Sequence, residues 1–213
     1  MMYDFFFFFQ IAALIVCLSV YNKLGYPYKY FAPFLFVLII YETGLLLGWF
    51  KIPKLDALSF NFYTSTEFIF YSLILFSLIR NNLHKRILFY VLVFTMSLTL
   101  VNIIFLNRIS AFNTYTFTLQ AFIIITACCM YYHNKIRDAR NEMLIIKEPT
   151  FWLYTGLLFY YLGCFLFFTS YSSMAYVKSP NYLILYRIVI NVSNIILYSC
   201  LIKLFLCFRQ PKI

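Results

Sequence analysis

Seven long apolar runs, broken by short polar connections, fill almost the whole chain. They cover about residues 3–21, 31–50, 58–79, 87–106, 112–132, 151–171 and 182–208. A hydrocarbon core of about 30 Å needs roughly 20 helical residues at a rise of about 1.5 Å, so each run is long enough to cross a bilayer. The pattern predicts an all-α, polytopic membrane protein in which residues 1–213 form a single domain of seven transmembrane helices. The five glycines are Gly25, Gly44, Gly48, Gly156 and Gly163, and the prolines fall at loops or helix ends, so continuous helices are expected. The first run has no basic segment before it and no small-residue cleavage site before Tyr21, and reads as an uncleaved first helix. Gly44-Leu-Leu-Leu-Gly48 has the small-xxx-small spacing that lets helices approach closely, and close packing within the bundle is expected there.

Composition agrees with the pattern. The chain is 64% hydrophobic and 11% charged, against about 25% charged residues in soluble domains. Its 27 Phe and 20 Tyr suit lipid contact and interfacial belts. The net charge of +10 does not mark a nucleic-acid binder, because the basic residues are spread among short loops rather than gathered in a patch. They set a direction instead. Lys23, Lys29, Arg80, Lys85, Arg86, Lys135, Arg137, Arg140, Lys147, Lys203, Arg209 and Lys212 fall on one side of the alternating helices. Lys51, Lys54, Arg108 and Lys178 fall on the other. The positive-inside rule then places the N-terminus outside and the C-terminus in the cytoplasm.

Little in the chain points to catalysis. The six cysteines lie within apolar runs without metal or redox spacing, and read as small packing residues. His84 and His133 sit at the cytoplasmic boundary without partners of ligand type, so no metal and no cofactor are expected. No nucleophile elbow or zinc-helix motif occurs. Lys203 lies too near the cytoplasmic end of the last helix for a retinal-type Schiff base.

The ionisable residues within the runs are the functional candidates, because charge inside a bilayer is costly. Glu42, Glu67 and Arg187 all fall in the outer half of the predicted membrane, where two carboxylates and a guanidinium are expected to meet. Asn113, Gln120 and Asn191 extend this polar set, with Asn61, Tyr63, Thr64, Ser65 and Thr66 just ahead of Glu67 and Asn194 beyond Asn191. The residues leave three readings open: a register-fixing network, a ligand pocket open to the outside, and a proton or ion path. Loop 80–86 is basic and loop 133–150 mixed in charge, and both are the expected contact points for a membrane or cytoplasmic protein partner.

Three segments resemble an uncharacterised family of small seven-helix membrane proteins from Bacteroidetes, some of which are joined to sensor histidine kinases. They are Tyr63-Thr-Ser-Thr-Glu67-Phe-Ile-Phe-Tyr71, Phe112-Asn113-Thr-Tyr115 with Gln120, and Glu148-Pro149-Thr-Phe151-Trp152 through Tyr161 and Gly163. Gln120 stands where that family often has Glu. The resemblance implies a bacterial inner (cytoplasmic) membrane and a sensory or partner-coupled role. The expected function is therefore a non-enzymatic sensor or accessory subunit. A small transporter or proton-coupled permease is the alternative, and an intramembrane lipid-modifying enzyme the third.

Overall fold

A computed structural model of the chain describes residues 5–49, 55–79, 81–102, 113–137, 142–176 and 182–209. Among the described residues there are seven α-helices and no strands. They are α1 (Phe5–Ser19), α2 (Phe31–Leu47), α3 (Leu55–Leu78), α4 (Asn82–Val101), α5 (Thr114–Arg137), α6 (Pro149–Tyr176) and α7 (Tyr182–Cys207). Short 3₁₀ turns at Tyr21–Lys23, Tyr28–Tyr30 and Glu142–Lys147 fill the connections.

Among the described residues, five segments are long and apolar enough to cross a membrane: Tyr28–Leu47, Asn82–Val101, Thr114–Arg137, Pro149–Thr169 and Arg187–Cys207. The two remaining helices fall short for different reasons. The described part of α1 has 15 residues and rises only about 22 Å. α3 has 24 residues, but Asn61, Thr64, Ser65, Thr66 and Glu67 crowd polarity into its first half.

The helix ends differ from the sequence expectation where capping chemistry decides them. α4 begins at Asn82, because the Asn81 side chain caps it by accepting from the Leu83 N–H at 2.8 Å. Lys85 and Arg86 therefore ride on the helix rather than in a loop. α5 continues through Arg137 and takes up His133 and Lys135. α2 stops at Leu47, short of the expected residue 50. Gly48 follows in the left-handed region at φ 76°, with Trp49 N–H bonded to the Gly44 carbonyl at 2.9 Å and Gly48 N–H to that of Leu45 at 3.1 Å. This is a Schellman cap. The second glycine of the Gly44–Gly48 motif thus ends the helix. Pro149 opens α6, where its missing N–H costs nothing.

The chain divides into two compact units. One holds residues 1–40 and 121–213, and the other residues 41–120. α2 and α5 each contribute to both.

In the first unit α7 packs against α6 and α1. The approach of α6 to α7 depends on two glycines a heptad apart. A Cβ on Gly156 would lie 2.8 Å from the Cys200 Cβ and 3.4 Å from the Leu197 carbonyl oxygen, and one on Gly163 would collide with the Ser193 Oγ. One end of this unit is stitched by aromatic residues. Tyr28 shares a hydrogen bond with Thr150 at 3.0 Å, and its ring lies 5.2 Å from that of Phe208. Tyr132 shares one with Thr155 at 2.6 Å, and the Tyr131 and Tyr154 rings stack at 3.9 Å. The connection after α1, the start of α6 and the ends of α5 and α7 therefore meet at one end. Lys135 pairs there with Glu148 at 2.7 Å, and the Trp152 indole N–H donates to the Ile146 carbonyl at 2.8 Å. Lys23, Lys29, Arg137, Lys147 and Arg209 belong to the same stretches, so we term this the basic end. Just inside it, Phe31 meets Phe205 edge-on at 5.8 Å among fully buried Leu35, Leu201 and Leu204.

In the second unit α3 and α4 form an antiparallel hairpin across the connection at residues 79–81, and α5 starts against them. The four basic residues assigned by sequence to the opposite membrane side, Lys51, Lys54, Arg108 and Lys178, lie outside the described residues, as do Arg80, Arg140 and Lys212.

At Gly156 the obstructing atom is a Cβ fixed to the α7 backbone, whereas the Ser193 hydroxyl at Gly163 can rotate aside. Gly156→Ala is expected to destabilise the protein by about 1–3 kcal/mol of overpacking, outweighing the roughly 1 kcal/mol that alanine gains in helix propensity. Gly163→Ala is expected to cost less. Thermal unfolding in detergent, monitored by helical circular dichroism, ranks the two.

Candidate functional site

Three asparagines build the upper layer of a polar cluster in the second unit. Asn113 immediately precedes α5 and caps it, its Oδ1 accepting from the Thr116 N–H at 3.2 Å. The same oxygen accepts from the Asn102 Nδ2 at the end of α4, at 2.6 Å. The Asn113 backbone N–H in turn donates to the Asn61 Oδ1 on α3 at 2.9 Å. All three side chains are buried. One cap residue thereby ties α3, α4 and α5 together at a single point.

A second layer lies deeper. Gln120 follows Asn113 by seven residues and Glu67 follows Asn61 by six, so both descend about 9–10 Å along helices that leave the asparagine knot in the same direction. The Gln120 Nε2 donates to the Thr99 Oγ1 at 3.2 Å, and Thr99 in turn donates to the Thr95 carbonyl of its own helix at 2.8 Å. Glu67 is only 1% exposed. Its Oε1 accepts from the Tyr63 hydroxyl one turn earlier at 3.4 Å. The Tyr63 ring stacks on that of Tyr41 at 4.4 Å and 21°, and the Tyr41 hydroxyl reaches the Ser59 Oγ at 3.5 Å. Tyr41 precedes Glu42, which is half-buried near the end of α2. The cluster thus presents a sequestered carboxylate beneath a layer of neutral amides, able to accept a hydrogen bond from a cationic or donor group.

The hydroxyl run before Glu67 plays a different part. Thr64 donates to the Phe60 carbonyl at 3.0 Å, Ser65 to that of Asn61 at 2.8 Å, and Thr66 to that of Phe62 at 2.8 Å. These protons are used within α3 itself, which leaves the Asn61 amide to reach the Asn113 N–H and the Tyr63 ring to stack on Tyr41.

Arg187 and Asn191 belong to the first unit. The Asn191 Nδ2 donates to the Arg187 carbonyl at 2.8 Å, and the Asn194 Nδ2 to that of Ile190 at 2.9 Å, so both amides bond back onto α7. The sequence-predicted residues therefore fall into two groups: Glu42, Glu67, Asn113 and Gln120 in one unit, Arg187 and Asn191 in the other.

Sequence reasoning passed over Asn102 and Thr99. Their signal was available, since Thr95, Thr99 and Asn102 recur at i, i+4 and i+7 and mark one polar face on an otherwise apolar helix. No protein family, characterised protein or solved structure matches the chain.

Removing the knot's central residue has a clear expected cost. Asn113→Ala loses a helix cap and strands the Asn102 amide and a backbone N–H of α5, for a destabilisation of about 2–4 kcal/mol. Thr66→Ala, on an exposed and back-bonded position, is expected to stay within about 0.5 kcal/mol. Chemical unfolding of both variants in detergent checks the contrast.

Proposed function

We propose that the chain is a non-enzymatic sensor or accessory subunit of a bacterial cytoplasmic membrane, with seven crossings, the N-terminus outside and the basic end facing the cytoplasm. On this reading α1 and α3 are crossings too, α3 tolerating polarity because Asn61, Thr64 and Glu67 are buried. The observation that carries the proposal is Glu67, a carboxylate 1% exposed at the depth of Gln120 beneath the asparagine knot. An ionisable group placed there is the default candidate for recognising a ligand. Glu42 and Arg187 are the further charged residues of this reading.

The basic end supports a partner-coupled role. Ile136 and Ile146 are 76% and 61% exposed beside Lys135, Arg137 and Lys147. A mixed apolar and basic surface of this kind suits a protein partner at the cytoplasmic face. α5 carries Gln120 in its first half and Lys135 in its last turn.

Purification of the full chain in native lipid discs tests the coupling. A partner is expected to co-purify in near-equimolar amount, and Ile136→Glu with Ile146→Glu is expected to lower its recovery at least about tenfold, a loss of about 1.4 kcal/mol or more. Glu67→Gln retains the shape and an acceptor for Tyr63. It is expected to keep both fold and partner while reproducing the transcriptional change caused by deleting the chain. Recovery of the chain alone under gentle extraction overturns the reading. Glu67-dependent proton uptake into proteoliposomes would replace it with the permease.

A further inference from the structure

Among the described residues of the first unit, Gln10 is the one side chain with two buried polar atoms that lack a hydrogen-bond partner. It is 0% exposed in the middle of α1, yet among the described residues neither its Oε1 nor its Nε2 has a hydrogen-bond partner. It lies nine residues before Ser19, about 14 Å along the axis from the end of the helix nearest the basic end, and so close to the middle of a bilayer about 30 Å thick. A dry amide there leaves a donor group and an acceptor unpaired, at several kcal/mol.

Among the other buried atoms in this condition is one on α7. The Asn191 Oδ1 on α7, the helix against which α1 packs, also lacks a partner, its Nδ2 being committed to the Arg187 carbonyl. The two helices carry matching sequence patterns. On α7 the positions 187, 191, 194, 198, 201 and 205 form one stripe, reading Arg, Asn, Asn, Tyr and then Leu, Phe toward the basic end. The buried face of α1 reads Gln10 and then Ala13 and Cys17 in the same direction. Both are polar away from the basic end and apolar near it, where Phe31, Phe205, Leu201 and Leu204 close the core.

We propose that the α1/α7 seam binds water: a short hydrated recess, blind at the basic end, whose deepest member donates to and accepts from the Gln10 amide while a higher one donates to the Asn191 Oδ1. Water supplies both donors and acceptors in one small ligand, which is what an unpaired amide and an unpaired carbonyl oxygen require. The inference is independent of any sensing role and of Glu67.

The recess is tested by accessibility in membrane vesicles, using a small anionic methanethiosulfonate applied from the side opposite the basic end. In a chain with its native cysteines replaced by alanine, Gln10→Cys is expected to react at least about tenfold faster than the same chain with Cys17 restored, because a thiol ionises only where water reaches it. Equal rates overturn the proposal. Two measurements hold if that variant does not insert. With the wild-type chain in bilayers, labelled at the side-chain nitrogens of its three glutamines (Gln10, Gln120 and Gln210), solid-state NMR is expected to show direct magnetisation transfer from water to Gln10. Absence of transfer refutes the recess. Gln10→Leu is expected to leave Tm unchanged or lower; a rise of about 3 °C or more identifies a dry, orphaned amide and refutes it as well.

Discussion

A polar group inside hydrocarbon has no water to turn to, and the architecture follows from how each such group is answered. The chain uses two solutions. Serine and threonine hydroxyls mostly bond to a carbonyl one turn back on their own helix, as Thr64, Ser65, Thr66, Thr95, Ser97, Thr118, Thr126 and Thr169 do. Asparagine, glutamine and tyrosine side chains near the second unit's knot and the first unit's basic end instead reach another element. The first solution is local and constrains no neighbour. The second fixes which elements meet and at what height, because an amide pulled out of register would lose its partner in a medium that offers no substitute.

The two units lean on different versions of that second solution. Residues 41–120 are joined through amides, with Asn113 serving at once as the cap of α5 and the acceptor for α4. The remainder is joined through shape and phenols. Lipid tails are as apolar as the helices, so burial alone gives α6 little reason to prefer α7 over lipid. Gly156 and Gly163 supply the reason by removing the side chains that would hold the backbones apart, and the Tyr28–Thr150 and Tyr132–Thr155 bonds fix the end of the assembly.

Periodicity and length made the helices legible in the sequence, because a run of 20 apolar residues has few alternatives in any protein. Their ends were legible only where the capping residue was weighed. Asn81 starts α4 ahead of the apolar run, and Gly48 ends α2 although its spacing from Gly44 imitates a packing motif. A glycine four residues after another is compatible with close approach or with a left-handed cap, and only backbone conformation separates them. The site was partly legible for a related reason. Glu67, Asn113 and Gln120 stood out as polar interruptions, but residue type alone did not separate Thr64, Ser65 and Thr66, which bond within their helix, from Asn61, which does not. Asn102 was missed because a single amide within the run 87–106 leaves that run apolar enough to cross a membrane. Gln10 was missed because one amide among fifteen residues leaves a helix nearly as apolar as before.

The case for Glu67 as a working group rests on what surrounds it. Around Glu67 the described polar links between helices run through neutral groups: the amides of Asn61, Asn102 and Asn113 above, Gln120 to Thr99 at Glu67's own depth, and the Tyr41 and Ser59 hydroxyls. An amide is much cheaper than a carboxylate to hold in a low-dielectric interior, and it can both donate and accept. The bond from Tyr63 asks only for an acceptor oxygen, and a glutamine at position 67 would supply one at the same distance from the backbone. A carboxylic acid offers what an amide does not, a negative charge or an exchangeable proton. That difference is what the proposed sensing role would use, in a layer otherwise built of neutral groups.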